Sequence, residues 1–151
     1  TTRKTLPVAD DPAGVGIDSR HRLAFITSSK SHQLSSIDID NLTVVNHVDA
    51  GITPLGITVD SRSGRVYVAD WDGGVVRVFD AMTLGKRGEY KTGATPCGLA
   101  LTPDGGRLLV AKEKRPRALV EFGPAGSTAR GLSKDDFLAP DEAWAAPAGD
   151  V

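Results

Sequence analysis

Pro54-Leu55-Gly56-Ile57-Thr58-Val59-Asp60 decides the fold, because it recurs. Pro12-Ala13-Gly14-Val15-Gly16-Ile17-Asp18 lies 42 residues before it, and Pro96-Cys97-Gly98-Leu99-Ala100-Leu101-Thr102 lies 42 residues after it. A second run keeps the same spacing: Ala24-Phe25-Ile26-Thr27, Val66-Tyr67-Val68-Ala69 and Leu108-Leu109-Val110-Ala111. Ser36-Ile37-Asp38 likewise matches Val78-Phe79-Asp80. A fixed period of about 40 to 50 residues is the signature of propellers and arrays.

Within each unit the apolar runs are short, rich in Val, Ile, Phe and Tyr, and bounded by Gly, Pro, Asp and Ser, which reads as strands. In the middle unit strand A falls near 55–60, B near 65–70, C near 75–80, and a weaker D near 86–92. Asp60-Ser61-Arg62-Ser63-Gly64 and Asp72-Gly73-Gly74 supply the turns. Four strands in 42 residues make one propeller blade, so the expected fold is all-β, a β-propeller of four-stranded antiparallel blades. Strands A and B are apolar on both faces, as expected of sheets sandwiched between neighbours. Gly16, Thr58 and Ala100 are small residues at one equivalent position and suit crowding near an axis. In the third unit, Ala118-Leu119-Val120-Glu121-Phe122 fits Val75–Phe79 at a spacing of 43, which implies one extra residue before strand C.

The expected organisation is an end strand of a preceding blade over 1–11, blades over 12–53, 54–95 and 96–139, and the start of a fourth repeat or a tail over 140–151. Residues 5–11 align with 47–53, which places them in a strand D. About three blades are therefore present. Propellers use roughly four to eight, so the chain is expected not to close alone but to be completed by the remainder of the propeller or by another chain.

Composition narrows the function classes. Eighteen Lys+Arg against nineteen Asp+Glu give a net charge of −1, which predicts no whole-protein attraction to nucleic acid. No apolar stretch is long enough to span a membrane. The single Cys97 cannot form an internal disulfide and takes the middle place of Pro-x-Gly, a packed small side chain. Gly14-Val15-Gly16 begins like a dinucleotide fingerprint, but the repeat explains it, since Gly14 is the equivalent of Gly56 and Gly98. His21, His32 and His47 fall in different parts of their unit and should not converge, so neither a metal nor another cofactor is expected. Asn41-Leu42-Thr43 is a sequon read as a polar turn, and the repeated Asp38 and Asp80 read as turn-capping acceptors.

The corners joining strands B and C share one face and differ sharply, which suits ligand contacts carried on a regular frame. They are Ser28-Ser29-Lys30-Ser31-His32-Gln33, Asp70-Trp71-Asp72-Gly73-Gly74 and Lys112-Glu113-Lys114-Arg115-Pro116-Arg117. The binding candidates are Lys30, His32, Asp70, Trp71, Asp72, Lys112, Lys114, Arg115 and Arg117. Trp71 between two carboxylates could hold a cation or stack on a sugar. The basic third corner could anchor phosphate, carboxylate or an acidic partner. No catalytic set is recognisable.

Pro54-Leu55-Gly56, Asp60, Pro103-Asp104-Gly105 and Tyr67-Val68-Ala69-Asp70 resemble the YVTN family of bacterial β-propeller repeats over residues 12 to about 132. The resemblance implies a propeller and an exported, periplasmic or extracellular setting. Similar propellers include lactonases, amine dehydrogenase heavy chains, surface-layer proteins and ligand-binding modules. The expected function is a scaffold that binds a partner or small ligand through the B-to-C face. The alternative is a lactonase-type hydrolase whose loop carboxylates, Asp70, Asp72 and Glu113, would hold a metal.

Overall fold

The computed structural model describes residues 4–113, 119–122 and 130–132, the last two segments as backbone. Twelve strands run in chain order: β1 (Pro12–Asp18), β2 (Leu23–Ser28), β3 (Gln33–Asp38), β4 (Thr43–Asp49), β5 (Pro54–Asp60), β6 (Arg65–Asp70), β7 (Val75–Asp80), β8 (Lys86–Lys91), β9 (Pro96–Leu101), β10 (Leu108–Lys112), β11 (Leu119–Phe122) and β12 (Arg130–Leu132). They form three four-stranded sheets, β1-β2-β3-β4, β5-β6-β7-β8 and β9-β10-β11-β12, each an antiparallel meander. These are the expected four-stranded antiparallel sheets. Leu108 pairs with Phe122 where Val66 pairs with Phe79, so the third ladder runs at a spacing of 43 and carries the extra residue.

Pro-x-Gly is a bulged entry. Each A–B ladder shifts register there, between Pro12 and Gly14, Pro54 and Ile57, and opposite Pro96. The glycine is demanded by the neighbouring blade: a Cβ on Gly56 would collide with the Cys97 carbonyl oxygen, and one on Gly14 would lie 2.5 Å from that of Leu55. The tightest approach between inner strands therefore falls on this glycine. At the expected crowded position Thr58 is half-buried and Ala100 exposed.

The cores lie between blades. Phe25, Leu34 and Val48 of the first blade meet Ile57, Val59, Val66 and Val68 of the second. Tyr67, Val76, Val78 and Tyr90 of the second meet Leu99, Leu101, Leu108 and Val110 of the third in the same register. Each fully buried Val, Leu or Phe contributes about 1.5–3 kcal/mol, so the sheets are held chiefly through their faces. Thr27 Oγ1 adds a 2.6 Å hydrogen bond to the Leu55 carbonyl across the first junction.

Turns behave as the aspartates predict. Asp38 accepts the Asp40 and Asn41 N–H groups and the Asn41 amide, and Asp80 accepts the Met82 and Thr83 N–H groups. Asp80 is held down to about 2 by the Arg87 guanidinium and the Thr83 N–H. Residues 4–8 pair with no strand among the described residues, and 9–11 form a bend. An outer strand ladders onto strand C of its own blade, and the first described strand C, β3, is already paired with β4. Among the described residues no helix is long and apolar enough to cross a membrane.

Candidate functional site

The three B-to-C corners are fixed by one repeated bond. The N–H of Ser29 donates to Asp11 O at 2.9 Å, that of Trp71 to Thr53 O at 2.9 Å, and that of Glu113 to Thr95 O at 3.0 Å. A second repeated bond closes the outer hairpins of the first two blades: Ala50 N–H to His32 O at 2.8 Å and Thr92 N–H to Gly74 O at 3.0 Å. At these anchoring bonds the backbone repeats while the side chains change.

The last residue of strand B faces the connector that enters its blade. In the first blade Ser28 Oγ donates to Ala9 O at 3.2 Å. In the second, Asp70 is the terminal residue of β6, not a loop residue, and is 0% exposed. Its carboxylate accepts from the N–H groups of Ile52 (3.0 Å), Thr53 (2.8 Å) and Gly73 (3.1 Å) and from Arg77 Nη2 (3.0 Å) and Nε (3.3 Å). Burial pushes its pKa up, but the Thr53, Ile52, Arg77 and Gly73 hydrogen bonds outweigh it and hold the carboxyl below its usual range. A Cβ on either Gly51 or Gly73 would strike this carboxylate, so both glycines are needed for it to seat. In the third blade Lys112 takes the place, half-buried, with Nζ beside Gly93, the equivalent of Gly51.

Beyond these struts the corners display the remaining candidates. Lys30 is exposed. His32 has φ 58°, the left-handed corner that Gly74 fills in the second blade, and its ring Nδ1 lies 2.5 Å from Ile52 O. Trp71 is half-buried, with Nε1 donating to Glu113 Oε2 at 2.9 Å. Asp72 is exposed and accepts the Thr53 hydroxyl at 2.5 Å. Lys114, Arg115 and Arg117 lie outside the described residues. The sequence reading missed Arg77, which bridges Asp70 to Glu89 Oε2 at 3.0 Å. Its signal was present, a lone charge inside the apolar strand Val75-Val76-Arg77-Val78-Phe79.

The other chemically suggestive residues take other contacts. His21 Nδ1 is 2.7 Å from Asp18 Oδ2 at the A-to-B turn, His47 lies in β4, and Cys97 Sγ contacts Ala111 O at 3.5 Å within its own blade. Asn41 Nδ2 is engaged by Asp38. Among the described residues no group of three His, Cys, Asp or Glu could hold a metal ion.

Comparison with known proteins fits this architecture. The chain is similar to the hydrazine synthase of Kuenenia stuttgartiensis, with a TM-score of 0.72 and 21% identity over 82% of this chain and 36% of that one. It is also similar to a chain of a nidogen/laminin complex, with a TM-score of 0.67 and 18% identity over 81% of this chain and 48% of that one. The chain therefore spans less than half the length of either structure. No curated protein matches the sequence. The β-propeller fold implied by the YVTN resemblance stands, and the family model that matches is a different one, the Choice-of-anchor I domain, over residues 13–129. That match runs from β1 through β11, and the chain belongs to the Choice-of-anchor I domain family.

Proposed function

We propose that this chain is part of a propeller scaffold that binds an anionic ligand or an acidic partner through its B-to-C face. The observation that carries the reading is the repeated backbone bond at Ser29, Trp71 and Glu113, which starts three chemically different corners from the same backbone anchor. A frame of this kind keeps its side chains placed while their identity sets specificity. Lys30, His32, Trp71, Asp72 and Lys112 are the contact residues of this reading, with Lys114, Arg115 and Arg117 extending the positive corner. Asp70 serves it as a strut, since its carboxylate is already engaged by backbone and Arg77. Ser28, Asp70 and Lys112 give the struts neutral, negative and positive character in turn, so an anion is favoured at the third corner and disfavoured at the second.

Titration with a hexaglutamate peptide, followed by Trp71 fluorescence in a Trp144→Phe background, tests the reading. A saturable change that Lys30→Ala and Lys112→Ala weaken supports it. Unchanged emission with no binding by calorimetry counts against it.

A further inference from the structure

The A-to-B turns lie at the other end of the strands from the B-to-C corners, since Asp60 pairs with Arg65 where Pro54 pairs with Asp70. At the junction of the first and second blades this end is closed. Asp18 is 0% exposed, its carboxylate accepts the Arg20 and His21 N–H groups at 3.0 and 3.1 Å, and the His21 ring Nδ1 lies 2.7 Å from it. Ser61 of the second blade faces the same carboxylate.

The junction of the second and third blades repeats the carboxylate without its cover. Asp60 stands 42 residues after Asp18 and likewise accepts an N–H two residues on, that of Arg62 at 3.0 Å, yet it is only half-buried. Ser63, whose hydroxyl donates to Asp60 at 2.6 Å, replaces the larger His21, and Pro103, which has no donor, replaces Ser61. Gly105 leaves the carboxylate open, because a Cβ there would lie 3.1 Å from Asp60 Oδ2. The space left is a pocket of about 330 Å³, with Thr58, Asp60 and Arg62 on one wall and Leu101 and Pro103 on the other. Arg62 spans the junction, donating to the Pro103 and Asp104 carbonyls at 3.0 and 3.4 Å, and so ties the two walls together.

We propose that this pocket binds a small neutral polyhydroxyl compound of monosaccharide size, with a ligand hydroxyl donating to Asp60 as Ser61 faces Asp18 one blade earlier. The volume lies at the low end of the roughly 300–1,000 Å³ of small-molecule sites, which suits a single ring. Carboxylate and guanidinium offset one another, which favours a neutral ligand over an ion. Leu101 and Pro103 offer an apolar wall to the C–H face of a ring, and Thr58 adds a hydroxyl that can donate or accept.

Saturation-transfer NMR of the full chain with methyl glucoside, methyl galactoside, methyl mannoside and myo-inositol, each over a concentration series, tests this. At least one probe should show saturable transfer. Asp60→Asn, which keeps an oxygen for the Arg62 N–H, should weaken it about tenfold by removing a charged acceptor. Thr58→Leu should abolish it, and because that change leaves the Asp60 turn bonds in place it separates filling of the pocket from loss of the turn. Lys30→Ala, at the B-to-C face, should leave it unchanged. No transfer to any of the four probes overturns the proposal, as does transfer that both pocket variants leave intact. A response to ethylammonium but to none of the four overturns the assignment of a neutral ligand.

Discussion

Trp71 donates its indole N–H to Glu113 at 2.9 Å, and the two residues stand 42 positions apart. They occupy the same corner of successive blades, so the bond joins a repeat position to its own equivalent across a blade junction. The Thr95 N–H closes on the Trp71 carbonyl at 3.2 Å and reinforces the link. Side chain and backbone together tie the B-to-C face of the second blade to the third.

Glu113→Gln should therefore change the Trp71 environment more than the stability. The bond is partly exposed, and such a contact contributes about 1 kcal/mol or less. Fluorescence should show a shifted Trp71 emission with a melting temperature within about 3 °C of wild type. A large loss of stability would mean that the junction depends on this bond.

Asp70→Ala removes the acceptor of five hydrogen-bond contacts and leaves Arg77 without its buried partner. Breaking a buried charged pair costs about 3–5 kcal/mol, which in a chain of this size lowers the melting temperature by roughly 10 °C. Differential scanning calorimetry checks it. A drop below about 2 °C would show that the connector holds without the carboxylate.

The same group sets an acid dependence. Its folded pKa lies below the unfolded value of 3.8, so its contribution is fully present above pH 3.8 and is lost as pH falls through the folded value. Wild type should lose stability below pH 3.8 more steeply than Asp70→Asn. Parallel curves for the two proteins would contradict the assignment.

The strand order and the four-stranded sheets were readable because Pro-x-Gly, the apolar B run and the C-strand Asp each repeat at 42 residues. The turn role of Asp38 and Asp80 was readable for the same reason. Asp70 was not, since it looks like the first residue of a polar corner. Its partners at Ile52 and Thr53 are backbone groups of the connector, and a sequence shows side chains, not which amides point at them. The closest blade approach, at Gly14 and Gly56, was not readable, because small size alone does not reveal which Cα faces a neighbour's carbonyl.

Gly56→Ala should destabilise the chain by about 1–3 kcal/mol, because the added methyl meets the backbone of Cys97 and not a yielding side chain. Gly88→Ala is the control. Nothing lies within 4 Å of its added Cβ, and a Gly-to-Ala change with compatible backbone stabilises by about 0.4–1 kcal/mol. Chemical denaturation of both variants checks the contrast. Equal behaviour would remove the steric account of Pro-x-Gly.

Binding of an anionic partner at the third corner should weaken as salt rises, because ions screen Lys112 and its neighbours Lys114, Arg115 and Arg117. Calorimetric titration of hexaglutamate at low and high salt reads this directly. An affinity flat across the range would remove the charge-based part of the account.

Hydrogen–deuterium exchange of the full chain, with and without saturating hexaglutamate, tests the use of the B-to-C face most directly. Added protection is expected only at the corners at 28–33, 70–75 and 112–117, with the A-to-B turns at 18–23 and 60–65 unchanged. Protection centred on those turns, or none at any corner under conditions where calorimetry detects binding, would contradict it.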